Sequence, residues 1–223
     1  MTKYVIASSK NWFNFIDTNQ DLRNRIIFFD KKEDLTVENL EKISPRFIFF
    51  PHWNWLIQPN VFNNFECVVF HTAPLPFGRG GSPIQNLILN GYKEAPVCSL
   101  MVNETIDGGP IYTKEVISLE GSLKQIFKRI NISINQQINH IIEIEPIPKP
   151  QKGEVVTFKR RKNTDNKIPK NSDLFDFYER VRMLDHPDYP KSYIKHGNLR
   201  FEFEDCFLGD DELFAKVKVR YAD

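Results

Sequence analysis

The sequence has little cysteine, no long apolar run and no excess of charge of either sign. Its three cysteines, Cys67, Cys98 and Cys206, stand at no CxxC or Cys/His ligand spacing, which argues against a structural zinc site and predicts no metal. Cys67 and Cys98 sit inside apolar runs, where a buried thiol is the ordinary state. No apolar stretch approaches the ~18 residues a membrane-spanning helix needs. Met1–Ser9 carries one short apolar run and no extended apolar region with a cleavage site, so no secretory signal is read there and a cytoplasmic, reduced setting is expected. Lys+Arg 30 against Asp+Glu 29 gives a net charge of +1. That balance leaves no broad basic surface for nucleic acid, and with no apolar span no membrane partner is expected. The run Lys159-Arg160-Arg161-Lys162 is a local exception, read either as a solvated edge or as a phosphate contact.

What is present describes a soluble α/β protein. The 223 residues, 41% hydrophobic, suit one domain of ordinary size with a small appendage. Apolar runs at Tyr4–Ala7, Arg25–Phe29, Phe47–Phe50 and Cys67–Phe70 alternate with helical or loop segments, which predicts a parallel sheet with crossovers covering its faces. Ser8-Ser9 offer a cap for a helix beginning near Lys10, and Thr36 caps a helix through Ile43. A helix is expected over Ser82–Asn90, with Pro83 in its first turn and Gly91 ending it. Strands follow at Ala95–Met101 and Ile111–Val116. Leu123, Ile126, Phe127, Ile130, Ile134, Ile138 and Ile141 then recur at helical spacing, the stripe of a long amphipathic helix. Proline ends it at Glu145–Pro150. Beyond lie a short strand (Val155–Phe158), a helix over Leu174–Leu184, and period-two alternation at Leu199–Phe203 and Leu213–Val219, an antiparallel pair. The expected architecture is a Rossmann-like, mostly parallel sheet flanked by helices over residues 1–145, with a small C-terminal α+β extension over 146–223.

The chemistry concentrates in Val69–Gln85 and Ile106–Gly109. In such sheets ligands bind at the carboxyl ends of the strands. His71 follows its strand at that end and enters a Pro/Gly-rich loop that fixes side chains in place. Asp107 stands in a second Gly-rich turn between two later strands, so the two side chains can meet over one cleft. With no Ser or Cys nucleophile in context, a His–Asp pair suits acid/base and electrostatic work rather than covalent catalysis. Gly78, Gly80 and Gly81 lack the Lys-Ser/Thr of a phosphate-binding P-loop.

His71-Thr72-Ala73-Pro74-Leu75-Pro76, Arg79-Gly80-Gly81-Ser82-Pro83-Ile84-Gln85 and Ile106-Asp107-Gly108-Gly109 resemble, in that order, the motifs of the 10-formyltetrahydrofolate-dependent formyltransferases. The resemblance covers roughly residues 47 to 145. It implies the formyltransferase fold, 10-formyltetrahydrofolate as co-substrate, and direct attack of a substrate amine on the formyl carbon. His71 would steady the tetrahedral oxyanion, and Asp107 would orient the His or assist proton removal. The family's triad also has an Asn two residues before the His, where this chain has Val69. Asn54, just after the third strand, is the residue expected to supply the missing amide. For the folate, the resemblance points to Pro51, His52, Trp53, Asn103, Ile106 and Asp107, and for the substrate to Phe77, Arg79, Gly80 and Gly81.

Within the family, methionyl-tRNA formyltransferases add a sizeable C-terminal barrel and more positive charge than this tail carries. The connector Pro150–Arg161 and the segments Arg180–Asp185 and Tyr189–Tyr193 are similar to the small C-terminal piece of the sugar N-formyltransferases. The short front is similar to members acting in bacterial pseudaminic-acid-type nonulosonate pathways. The expected substrate is therefore an amino-deoxy sugar nucleotide destined for a surface glycan. A carrier-bound amino acid as acceptor, or a catalytically silent folate- or sugar-nucleotide-binding relative, are the alternatives.

Overall fold

The computed structural model describes residues 1–10, 13–15 and 20–222. Its elements, in chain order, are β1 (Lys3–Ala7), α1 (Gln20–Arg23), β2 (Ile26–Phe29), α2 (Val37–Ile43), β3 (Pro45–Phe50), α3 (Pro59–Phe62), β4 (Cys67–Thr72), β5 (Phe77–Gly80) and α4 (Pro83–Leu89). There follow β6 (Glu94–Met101), β7 (Ile111–Ser118), α5 (Leu123–Ile144), β8 (Val156–Phe158), α6 (Leu174–Arg182), β9 (Ser192–His196), β10 (Leu199–Leu208) and β11 (Leu213–Tyr221). The chain divides into two compact units, the first comprising Met1–Arg79, Pro96–Ile117 and Arg129–Thr157, the second the remaining segments.

The first unit is built on a six-stranded sheet of order β2-β1-β3-β4-β6-β7. β2, β1, β3 and β4 run parallel to one another. Their residues read as continuous apolar runs because both faces are covered; Val5, Ile6, Ile48, Phe49 and Val68 are fully buried. β6 runs antiparallel to β4, with His71 opposite Cys98, so the sheet is mixed rather than wholly parallel. A run of apolar residues marks a strand but not its direction.

Local signals account for the helices. Thr36 caps α2 by accepting from the Asn39 N–H, satisfying one of the donors a helix start leaves open. Ser82 precedes α4 in a left-handed conformation, with Pro83 at its first position, where a missing N–H costs nothing. All seven apolar positions of the α5 stripe are buried. The helix expected from Lys10 is not present at Lys10 or at Phe13–Phe15, and the rest of that stretch lies outside the described residues.

In the second unit, β11, β10 and β9 form an antiparallel sheet. Phe203 on β10 packs with Val181 of α6 and Ile168, joined by Phe177, Ile194 and Phe201.

Candidate functional site

β4 carries His71 to the end of the sheet. It pairs with β3 from Ile48↔Cys67 to Phe50↔Val69 and with β6 as far as Thr72↔Val97, so the backbone around His71 is held by the ladder. Val69 and His71 share a face of the strand, two residues apart. Val69 packs against the apolar cluster of Val5, Ile48, Phe50, Val61 and Cys67, a setting for a hydrophobic side chain.

The chain then reverses through Pro74–Pro76 into β5, where Gly78 adopts φ 85°, a conformation that favours glycine. Its carbonyl lies 2.7 Å from His71 Nε2. On the other side, His71 Nδ1 is 3.4 Å from Asp107 Oδ2. His71 is buried, at 7% exposure. A carbonyl only accepts, so the Gly78 contact requires a hydrogen on Nε2. A second proton has a place at Nδ1, facing the Asp107 carboxylate.

Asp107 belongs to a tight turn in which Gly108 N–H donates to Thr105 O and Asn103 Oδ1 accepts from Thr105 N–H. It has φ 51°, the left-handed region that few residues other than Gly, Asn and Asp visit. A Cβ on Gly109 would lie 1.7 Å from Met101 O, so no side chain fits there. The sequence-predicted pair is thus brought together by two glycine-dependent turns.

The other predicted positions are distributed as follows. Phe50 pairs with Val69, so Pro51–Trp55 leaves the sheet at the same end as His71, near the end of β4. Pro51 is buried and Asn54 exposed within this loop. Trp53 packs edge-on against Phe50 and Trp55, at 5.8 and 4.8 Å between ring centroids, and its indole N–H is buried with no hydrogen-bond partner among the described residues. Ile106 is 63% exposed. Phe77 is half-buried in β5. Arg79 donates through Nε and Nη2 to Gln151 Oε1. Gly80 and Gly81 line a cavity of about 400 Å³ in the second unit, together with Arg160, Arg161, Lys162 and Tyr189.

His52 is engaged within the first unit. Its Nε2 is 2.8 Å from Asn131 Oδ1, its carbonyl accepts from Ser9 Oγ at 2.7 Å, and Phe13 lies 5.9 Å away ring to ring. Burial pushes its pKa from 6.5 down to about 4, so the ring is neutral near pH 7. An unfolded chain takes up a proton as pH falls through 6.5, the folded one only near 4. Stability tied to His52 is therefore intact above 6.5 and is lost progressively as pH falls to about 4, by about 3 kcal/mol in all. Urea unfolding at pH 7 and pH 4 is expected to show wild type losing that amount relative to His52→Gln.

Gln151 is the side chain at this site that sequence reasoning did not single out. It lies in the Pro-rich connector, 44 residues beyond Asp107, and no local spacing marks it.

Comparison with known proteins places this geometry in context. Residues 163–220 match the family described as methionyl-tRNA formyltransferase, C-terminal domain. A structure named methionyl-tRNA formyltransferase from Clostridium thermocellum is 35% identical, covers 100% of both chains and superposes with a TM-score of 0.90. The chain belongs to the formyltransferase family. The methionyl-tRNA formyltransferase of Campylobacter lari is 25% identical over 84% of this chain, and the chain spans 61% of that relative's length. The chain also shares its fold with HypX from Aquifex aeolicus in complex with tetrahydrofolic acid (18% identity, 92% of this chain and 37% of the other, TM-score 0.73). A 4-N formyltransferase from Francisella tularensis shares it as well (14%, 86% and 92%, TM-score 0.68). The tail that reads as too short for the barrel of the methionyl-tRNA enzymes is nonetheless the segment that matches their C-terminal domain.

Proposed function

We propose that this formyltransferase moves the formyl group of 10-formyltetrahydrofolate to the amine of an amino-deoxy sugar nucleotide, of the kind used in nonulosonate surface glycans. The transfer chemistry rests on the His71–Asp107 pair. The N–H at Nε2, now donated to the Gly78 carbonyl, is the donor that a tetrahedral oxyanion would take over. Asp107 steadies a proton at Nδ1 while that happens; as the tetrahedral intermediate collapses, the bond from the formyl carbon to the folate N10 breaks and N10 takes up the one proton that the attacking amine loses. Asn54 is the proposed source of the amide that Val69 does not provide. The loop after β3 fits a folate ring system in one respect: the buried indole N–H of Trp53 has no acceptor among the described residues, the kind of donor that calls for a partner. When bound, the folate supplies the activated formyl carbon.

The choice of acceptor rests on charge. Over the segment matching the methionyl-tRNA enzymes' C-terminal domain, residues 163–220, there are 10 Lys+Arg against 12 Asp+Glu. A tRNA-binding surface needs the opposite excess. The basic run Arg160–Lys162 and Gly80–Gly81 would instead meet the diphosphate of a sugar nucleotide. Methionyl-tRNA is the second reading, favoured by the full-length likeness to the Clostridium thermocellum protein.

The deciding experiment offers the protein 10-formyltetrahydrofolate with a panel of aminodeoxy sugar nucleotides, methionyl-tRNA and a carrier-bound amino acid. Formamide on a sugar nucleotide is expected. Exclusive formylation of methionyl-tRNA would replace the acceptor, and folate binding without any product would make the protein a silent relative.

A further inference from the structure

Four hydrogen bonds converge on the amide of Gln151. Its Nε2 donates to the carbonyls of Asp107 and Gly109, each at 2.8 Å. Its Oε1 accepts from Arg79 Nε at 3.1 Å and Nη2 at 2.8 Å. A guanidinium only donates, so the fork on Oε1 fixes which end of the amide faces Arg79 and turns the NH₂ toward the Asp107 turn. The backbone near Gln151 is itself tied down, because Lys149 and Ile111 exchange N–H···O bonds of 2.8 Å in both directions.

The two things joined by this amide are the two flanks of the His71 ring. Arg79 follows Gly78, whose carbonyl sits on His71 Nε2. Asp107 sits on His71 Nδ1. The Asp107 turn is exposed along much of its length, at Ile106 and at Asn103, Glu104 and Thr105, and the Gln151 amide ties its main chain to the connector at two carbonyls. We infer that Gln151, oriented by Arg79, is a positioning residue that holds Asp107 against His71 and couples that contact to the loop carrying Gly78. Arg79 thereby acts on the site through Gln151.

This inference rests on the formyl-transfer reading for its kinetic readout, and has a second readout that does not. Gln151→Leu removes all four bonds. Gln151→Glu keeps the volume and the fork from Arg79 but turns a carboxylate oxygen, which cannot donate, toward the carbonyls of Asp107 and Gly109. Displacement of a catalytic group by about 1 Å costs on the order of 10²-fold, so both variants are expected to lose about 10²-fold in kcat, with KM for folate and acceptor within about threefold. A role in packing alone would spare Gln151→Glu. Independently of turnover, the ¹⁵N and ¹H signals of the His71 imidazole are expected to shift in both variants while the melting temperature stays within a few degrees. Retention of kcat within about twofold in Gln151→Glu, a rise in KM at unchanged kcat, or unmoved His71 signals would each overturn the inference. If wild type transfers no formyl group, the functional reading fails and the His71 signals alone decide the positioning role. Should Gln151→Leu fail to fold, the isosteric Gln151→Glu carries the comparison.

Discussion

Replacing His71 by alanine is expected to lower kcat for formyl transfer by about 10²- to 10³-fold, the usual cost of losing one preorganised oxyanion donor. The ring touches both the Gly78 carbonyl and the Asp107 carboxylate, so its removal takes away the Nε2 donor and the proton position at Nδ1 together. Folate affinity should change little, because the loop after β3 and its aromatic cluster do not depend on the imidazole. The loss in folding stability is expected to be about 1–3 kcal/mol, the penalty for leaving two acceptors partly buried without a donor. Stopped-assay kinetics paired with folate titration and thermal melts separate these effects. A comparable loss in folate binding would mean that the variant has disturbed the site as a whole.

The largest expected effect on stability lies elsewhere, at Arg182 and Glu179 on α6. Arg182 is buried at 5% exposure and Glu179 at 6%. Arg182 Nη2 lies 2.5 Å from Glu179 Oε2, and Nη1 donates to the carbonyls of Leu119 and Gly121, both at 2.8 Å. Lys93 Nζ stands 3.6 Å from the other Glu179 oxygen. Arg182→Met would leave a buried carboxylate facing only a half-exposed lysine, with two carbonyls stripped of their donor. Breaking such a pair costs about 3–5 kcal/mol, a melting shift of roughly 10 °C for a chain of this size. The double variant Arg182→Met/Glu179→Leu is expected to cost less than the sum of the singles, because it removes the orphaned charge as well as its partner. Urea unfolding of the three variants measures the coupling directly.

Much of the fold is legible in the sequence because local rules and packing agree there. The α5 stripe repeats at helical spacing and every one of its positions is buried. Thr36 and Pro83 mark helix starts for reasons that act within one turn. What fails to show is information that neighbours in sequence do not carry. The direction of β6 is fixed by its register with β4, not by its own residues. β5 hides within a Pro/Gly loop because it is four residues long and its partner β8 is only three. β9 is five residues made a strand by their pairing with β10 and by a bridge from Tyr193 to Lys167.

At the site, the proximity of His71 and Asp107 follows from strand ends and turns, which the sequence does indicate. The carbonyl of Gly78 on Nε2 does not, since a backbone acceptor leaves no residue-type signature. Gln151 is hidden for the same reason: its four bonds go to one guanidinium 72 residues away and two main-chain carbonyls. Val69 is a position where resemblance and packing part. The family motif asks for an amide there, whereas the surrounding cluster of Val5, Ile48, Phe50 and Val61 accepts an apolar side chain.

The account stands or falls on stoichiometric formyl transfer by the wild-type protein. Tetrahydrofolate release and formamide formation, followed together in single turnovers with 10-formyltetrahydrofolate and an aminodeoxy sugar nucleotide, are expected to rise in step and to slow together by about 10²- to 10³-fold in His71→Ala. Tetrahydrofolate released without formamide, or equal turnover in wild type and His71→Ala, would contradict it.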